Sequence, residues 1–126
     1  MIESFIKEAD HIYVACGITD FRKQIDTLCA MVIDKFNLDP YTGSSVFIFC
    51  NRKRNAIKVL RFEDNGFILA HKKLIEVDKM KFQWPKNETE VKDITLEQLR
   101  WLLQGLNIEQ KTALKKYKIS KEDVAF

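Results

Sequence analysis

The chain has 126 residues, enough to bury one core and too few for two domains of ordinary size. It is 46% hydrophobic, 11% aromatic and 31% charged, with four glycines and two prolines, the profile of a folded globule rather than of a disordered chain. The formal net charge of +3 is too mild to imply nucleic-acid or membrane affinity by itself, so any such claim must rest on local clustering.

Residues 11–16 are rich in strand formers and stop at Gly17, which predicts a first strand after a short leading segment. Thr19 or Asp20 then caps a helix on which Phe21, Ile25, Leu28, Val32 and Phe36 recur with helical spacing. Asn37-Leu38-Asp39-Pro40 ends it, because the residue before proline is pushed out of the α region. Residues 46–50 form a continuous apolar run between polar segments, as expected of a central strand covered on both faces. Residues 56–63 and 67–75 are two further strands around Asn65-Gly66, a strong two-residue hairpin signal. A short strand over 79–84 ends at Pro85, and residues 86–93 are polar. Thr95-Leu96-Glu97-Gln98 has the form of a capping box. It opens a helix whose buried face is Leu96, Leu99, Leu102, Leu103 and Leu106, with Gly105 placed to help end it. Residues 108–118 add a further helical turn or two.

This order reads as α+β: a mainly antiparallel sheet of four to five strands, packed with one long helix after the first strand and a C-terminal helix. One domain is expected over 1–106, with a helical extension or tail over 107–126. The start lacks a basic and then apolar leader, and no apolar run approaches the roughly 18 residues that span a bilayer. A cytoplasmic protein with no membrane partner is the expectation. Cys16, Cys29 and Cys50 are odd in number and lack a CxxC pair, which argues against a disulfide framework and a zinc ribbon.

The densest basic segment is Arg52-Lys53-Arg54, followed by Lys58 and Arg61. Counting outward from an Asn65-Gly66 turn sets Asp64 against Phe67, Phe62 against Leu69, Leu60 against His71 and Lys58 against Lys73. Arg52, Lys53, Arg54, Lys58, Lys72 and Lys73 then converge at one sheet end, a candidate phosphate-contacting patch for nucleic acid. Glu76 and Asp78 in the following turn weaken it. The alternative is a solvated loop that confers solubility.

Other chemistry finds less support. Asp20, Asp26, Asp39, Glu63 and Asp64 are the carboxylates available to a two-metal nuclease, but each has a simpler role. Asp20 suits a helix N-terminus, Asp26 pairs with Arg22 one turn away, and Glu63 and Asp64 flank a turn. His11, His71, Cys16 and Cys50 match no zinc spacing, and no glycine-rich loop cradles phosphates, so no cofactor, metal or catalytic set is assigned. Tyr41, Trp84 and Trp101 suit core or rim packing, or stacking on bases if exposed.

Four segments carry a family resemblance spanning about 12–106. Gly17-Ile18-Thr19-Asp20-Phe21-Arg22-Lys23-Gln24-Ile25-Asp26-Thr27-Leu28 resembles a G-x-T-D-x-R-K-x-x-D-x-L signature. Phe49-Cys50-Asn51-Arg52-Lys53-Arg54 and Ile57-Lys58-Val59-Leu60 resemble F-x-N-R-x-R and I-K-x-L. Phe62-Glu63-Asp64-Asn65-Gly66-Phe67, Lys72-Lys73-Leu74 and Phe82-Gln83-Trp84-Pro85 resemble W-D/E-x-x-G-F, K-R-L and F-x-W-P, and the fourth segment is residues 94–106. Phe62 replaces a common tryptophan, and Lys73 replaces an arginine and so gives up bidentate phosphate geometry. These segments are similar to the TnpB accessory proteins of IS66-type bacterial insertion sequences. The resemblance implies a role in transposition beside a separate, longer transposase that carries the acidic catalytic residues. Two roles stay open: a DNA-binding factor that uses the basic sheet end, and a protein adaptor that docks on the transposase through the helix bearing Arg100 and Trp101. A metal-dependent nuclease is a minor third.

Overall fold

The computed structural model describes residues 2–6, 8–75, 80–87 and 89–110. Its elements in chain order are α1 (Ile2–Ile6), β1 (His11–Ala15), α2 (Ile25–Asp34), β2 (Ser45–Cys50), β3 (Ala56–Glu63), β4 (Gly66–Lys73), β5 (Val91–Ile94) and α3 (Leu96–Leu103). The strands form one sheet in the order β4-β3-β2-β1-β5. The fold is α+β, but the sheet is mixed. β1 and β2 run parallel, while the other three pairings are antiparallel. A parallel pair requires a crossover, and α2 supplies it.

β2 lies at the centre and every residue of it is buried, as its unbroken apolar run predicts. Its alternate side chains enter two cores. Phe47 and Phe49 join Ala15, Leu28, Cys29, Val32 and Leu60 under α2. Val46, Ile48 and Cys50 join Ile57, Val59, Phe82, Trp84, Leu99 and Leu102 on the other face, with Ile2, Phe5 and Ile6 of α1. Ile108 belongs to this second core, two residues beyond the expected domain limit of 106, and residues 111–126 lie outside the described residues. Each fully buried large side chain contributes roughly 1.5–3 kcal/mol.

The expected long helix is shorter. It begins at Ile25, not at Phe21, because Gln24 is extended and its amide donates to Thr27 Oγ1 at 2.9 Å. It ends at Asp34, where Asn37 takes φ 55° and returns its amide to Ile33 O at 3.1 Å. Asp20 therefore sits in the loop ahead of α2 rather than at a helix N-terminus, and Arg22 pairs with Asp20 instead of Asp26.

The hairpin register also differs from expectation by two residues. Glu63 faces Gly66, Phe62 faces Phe67, Leu60 faces Leu69, Lys58 faces His71 and Ala56 faces Lys73. Asp64-Asn65 forms the turn, with Asp64 at φ 54°, a conformation that aspartate tolerates. This register seats Phe62 against Phe67 with ring centroids 5.1 Å apart, and Tyr41 packs on both. The like-charge opposition of Lys58 and Lys73 does not arise.

Residues 80–84 form no strand; they cross the second core as an extended strap, and Lys79, Glu76 and Asp78 lie outside the described residues. The fifth strand is Val91–Ile94, from the segment expected to be merely polar. It pairs with β1 and is pinned by His11 Nδ1 to Asp93 Oδ2 at 2.7 Å. α3 opens as its sequence predicts: Gln98 N donates to Thr95 Oγ1 at 3.0 Å and Thr95 N to Gln98 Oε1 at 2.9 Å. It closes on Gly105 at φ 84°, with Gly105 N bonded to Leu102 O and Leu106 N to Trp101 O. A Cβ at Gly105 would lie 3.3 Å from Met80 side-chain atoms. Gly105→Ala is therefore expected to lower unfolding free energy by about 1–2 kcal/mol in urea titrations, from the left-handed conformation alone. Among the described residues no helix is long and apolar enough to cross a membrane.

Candidate functional site

Because β1 and β2 are parallel, both strands leave the sheet at the same end. The loop after β1 is residues 16–24 and the turn after β2 is residues 51–55. Thr19 N donates to Cys50 O at 2.8 Å, which joins the two. The strap closes the same end: Gly17 N donates to Pro85 O at 2.6 Å, Trp84 Nε1 to Ala15 O at 2.8 Å, and Phe82 N to Arg54 O at 2.8 Å. Three of the segments quoted from the sequence thus meet in one place, although they are separated by tens of residues in the chain.

Asn51 builds the turn. Its Oδ1 accepts from Asn55 N (3.0 Å) and Ala56 N (3.1 Å), its Nδ2 donates to Asn55 Oδ1 (2.6 Å), and its carbonyl accepts from Arg54 N (3.0 Å). Arg54 takes φ 56° to complete the turn. Arg52 and Lys53 are consequently held at an exposed tip between flanking residues Asn51, Arg54, Asn55 and Ala56 that bond one another.

The six cations expected to converge divide by position. Arg52 and Lys53 stand at the tip, and Arg54 is half-buried beside it against the strap. Lys73 is exposed at the same sheet end, opposite Ala56, with Leu74 N bonded to Asn55 O at 2.7 Å. Strand alternation puts its neighbour Lys72 on the opposite face, paired with Ile57 of the second core. Lys58 turns inward. It is 3% exposed, and its Nζ donates to Phe21 O and Lys23 O at 2.9 Å each while lying 4.9 Å from the Phe21 ring centroid. Burial pushes its pKa below the usual lysine value. Lys58 is thus the post on which the loop before α2 hangs, a role that a strand-borne lysine does not reveal in sequence.

An open cleft of about 820 Å³ runs between the two loops, lined by Ile18, Thr19, Asp20, Phe21, Arg22, Asn51, Arg52 and Lys53. Its one carboxylate is already matched: Arg22 Nη2 and Nε donate to Asp20 Oδ2 at 2.6 and 3.0 Å, and Arg22 N donates to Asp20 Oδ1 at 2.9 Å. Those bonds hold the Asp20 carboxyl well below the ordinary value of 3.8, at about 2. The depressed value means that whatever this pair adds to stability is present above pH 3.8 and is lost as pH falls toward 2. An NMR titration of the Asp20 carboxyl is expected to centre near pH 2 and to move back toward 3.8 in Arg22→Gln. With Asp20 neutralised by Arg22, Arg52 and Lys53 leave the cleft net positive.

Of the expected partner-docking pair, Arg100 bonds Glu3 of α1 through Nη2 (2.6 Å) and Nε (3.0 Å). Trp101 is half-buried and lines a groove with Ile94, Gln98 and Ile108. Cys16, Cys29 and Cys50 are buried free thiols, and burial pushes Cys50 up to about 12. Among the described residues no three histidine, cysteine or acidic side chains gather as a metal site. The sequence reading missed Thr19 and the Trp84-Pro85 strap as parts of this end. The only local sign was an apolar Phe-x-Trp-Pro with no strand partner in view.

Comparison with known proteins places these loops in a family. The family described as IS66 Orf2 like protein matches residues 10–113, a span that includes the loop, the turn and the strap. A protein of Sinorhizobium fredii named uncharacterized protein y4hO is 31% identical over 96 residues, covering 76% of this chain and 80% of the relative. No solved structure matches. The chain belongs to the IS66 Orf2-like family, the TnpB accessory proteins of transposition in IS66-type insertion sequences.

Proposed function

We propose that this accessory protein contacts DNA phosphates through the sheet end that carries Arg52 and Lys53, with Lys73 at its flank, and so assists a separate transposase. The observation that supports this most is the Asn51 clasp, which sets two cations that have no ion-pair partner among the described residues at an exposed tip, beside a cleft whose carboxylate is already paired. A turn backbone that is already ordered loses little further freedom when its cations meet phosphates, and released counterions supply the driving force. In this reading Lys58 positions the loop rather than touching DNA, and Lys72, facing the other side of the sheet, contributes only long-range attraction.

The second reading is an adaptor that docks on the transposase without binding DNA itself. Trp101 favours it, as a half-buried aromatic at the lip of a groove on α3. An electrophoretic shift with duplex from the element's end, run with and without the transposase, separates the two. Binding by the protein alone that is lost in Arg52→Ala/Lys53→Ala supports direct contact. Binding seen only with the transposase, and lost in Trp101→Ala, supports the adaptor.

A further inference from the structure

The cleft between the two loops differs from a flat basic patch in three respects. It is concave, and one wall is apolar: Ile18 is 40% exposed, large for an isoleucine, and Phe21 lies beside it. Thr19, which also lines the cleft, is 4% exposed, and its hydroxyl has no hydrogen-bond partner among the described residues. A buried hydroxyl without a partner costs free energy, and such groups in native folds call for an explanation. Arg22 adds a guanidinium on the rim whose Nη1 makes no described protein bond, since Nε and Nη2 take Asp20.

Duplex phosphates alone use cations and leave an apolar wall and a hydroxyl idle. An unpaired nucleotide uses all of them: its phosphate meets Arg52 and Lys53, its base lies on the Ile18 and Phe21 wall, and a polar edge takes the buried Thr19 hydroxyl once the loop shifts enough to uncover it. We infer that the cleft is a binding site for one unpaired nucleotide next to a duplex, such as a single-stranded extension at a DNA end. This rests on the proposed DNA contact and specifies the form of DNA that the contact recognises.

The test compares a blunt duplex with the same duplex carrying a short single-stranded extension, using fluorescence anisotropy and the full-length protein. Wild type is expected to bind the extended duplex about tenfold tighter, the value of one stacked base. Ile18→Ser and Thr19→Val should bring that ratio close to one; the first alters an exposed side chain and the second is isosteric, so both variants should fold. Equal affinity of wild type for the two DNAs overturns the inference while leaving duplex contact intact. A preference that survives in both variants also overturns it. Failure to bind either DNA removes the proposed function and this site together.

Discussion

Trp84→Ala is expected to lower the unfolding free energy by about 3–5 kcal/mol, the range for a fully buried aromatic. Trp84 is 4% exposed in the second core and its indole N–H donates to Ala15 O at 2.8 Å. The effect should reach beyond the cavity, because the strap also receives the Gly17 amide on Pro85 O and donates the Phe82 amide to Arg54 O. Hydrogen exchange at Gly17 and Phe82 is therefore expected to accelerate selectively. Trp84→Phe retains most of the packing and loses the indole bond, so it should cost about 1–2 kcal/mol. A loss below about 1 kcal/mol for Trp84→Ala, with unchanged exchange at both amides, would remove the strap from the account.

The second large effect is expected at Lys58. Lys58→Met keeps the aliphatic stem but strips Phe21 O and Lys23 O of their donor, a loss of about 2–3 kcal/mol offset in part by relief of ammonium desolvation. The loop it releases carries Asp20 and Arg22, so chemical-shift changes should extend across residues 18–24 while α3 stays unchanged. The pH dependence has a definite sign. The folded-state pKa of Lys58 is lowered, so the unfolded chain binds more protons in the window just below the ordinary lysine value. The stability of wild type relative to Lys58→Met should consequently rise as pH increases through that window. A difference that stays flat or falls would show that Lys58 is not desolvated as its position implies.

Features fixed by residue type within one element were legible in the sequence, and those that depend on distant partners, or on loop bonds such as Arg22 to Asp20 and Gln24 to Thr27, were not. The Thr95 and Gln98 cap is closed within one turn, and its geometry follows from the four residues themselves. The unbroken apolar run of β2 predicts its central place, because only a strand covered on both faces tolerates that pattern. β5 escaped notice because Val91-Lys92-Asp93-Ile94 has one buried residue and depends on pairing with β1, some 80 positions away. The start of α2 was misjudged for a related reason. Phe21 fits the helical stripe, yet Lys58 holds the carbonyls of residues 21 and 23 from outside the helix, and Asp20 turns back on Arg22. In the hairpin, local preference for Asn65-Gly66 yields to the Tyr41, Phe62 and Phe67 cluster, which forms only in the observed register.

The candidate site shows the same division. That Arg52, Lys53 and Lys73 share a sheet end follows from strand order and hairpin geometry, and it survives the register shift because a two-residue slip keeps each side chain on its face. That Lys58 points inward, and that the loop after β1 joins the site, depends on β1 and β2 being parallel. A crossover through a ten-residue helix sets that direction, and nothing in either strand alone encodes it.

The central claim is that Arg52 and Lys53 meet DNA phosphates, and the salt dependence of binding tests it most directly. Duplex affinity is measured for wild type and Arg52→Ala/Lys53→Ala across a range of salt concentrations. Each phosphate contact contributes about 0.9 to the slope of log affinity against log salt, so the slope of the variant should be shallower by about 2. Its affinity should fall similarly for unrelated sequences, since backbone contacts carry no base information. A variant that matches wild type in both affinity and slope would contradict the account.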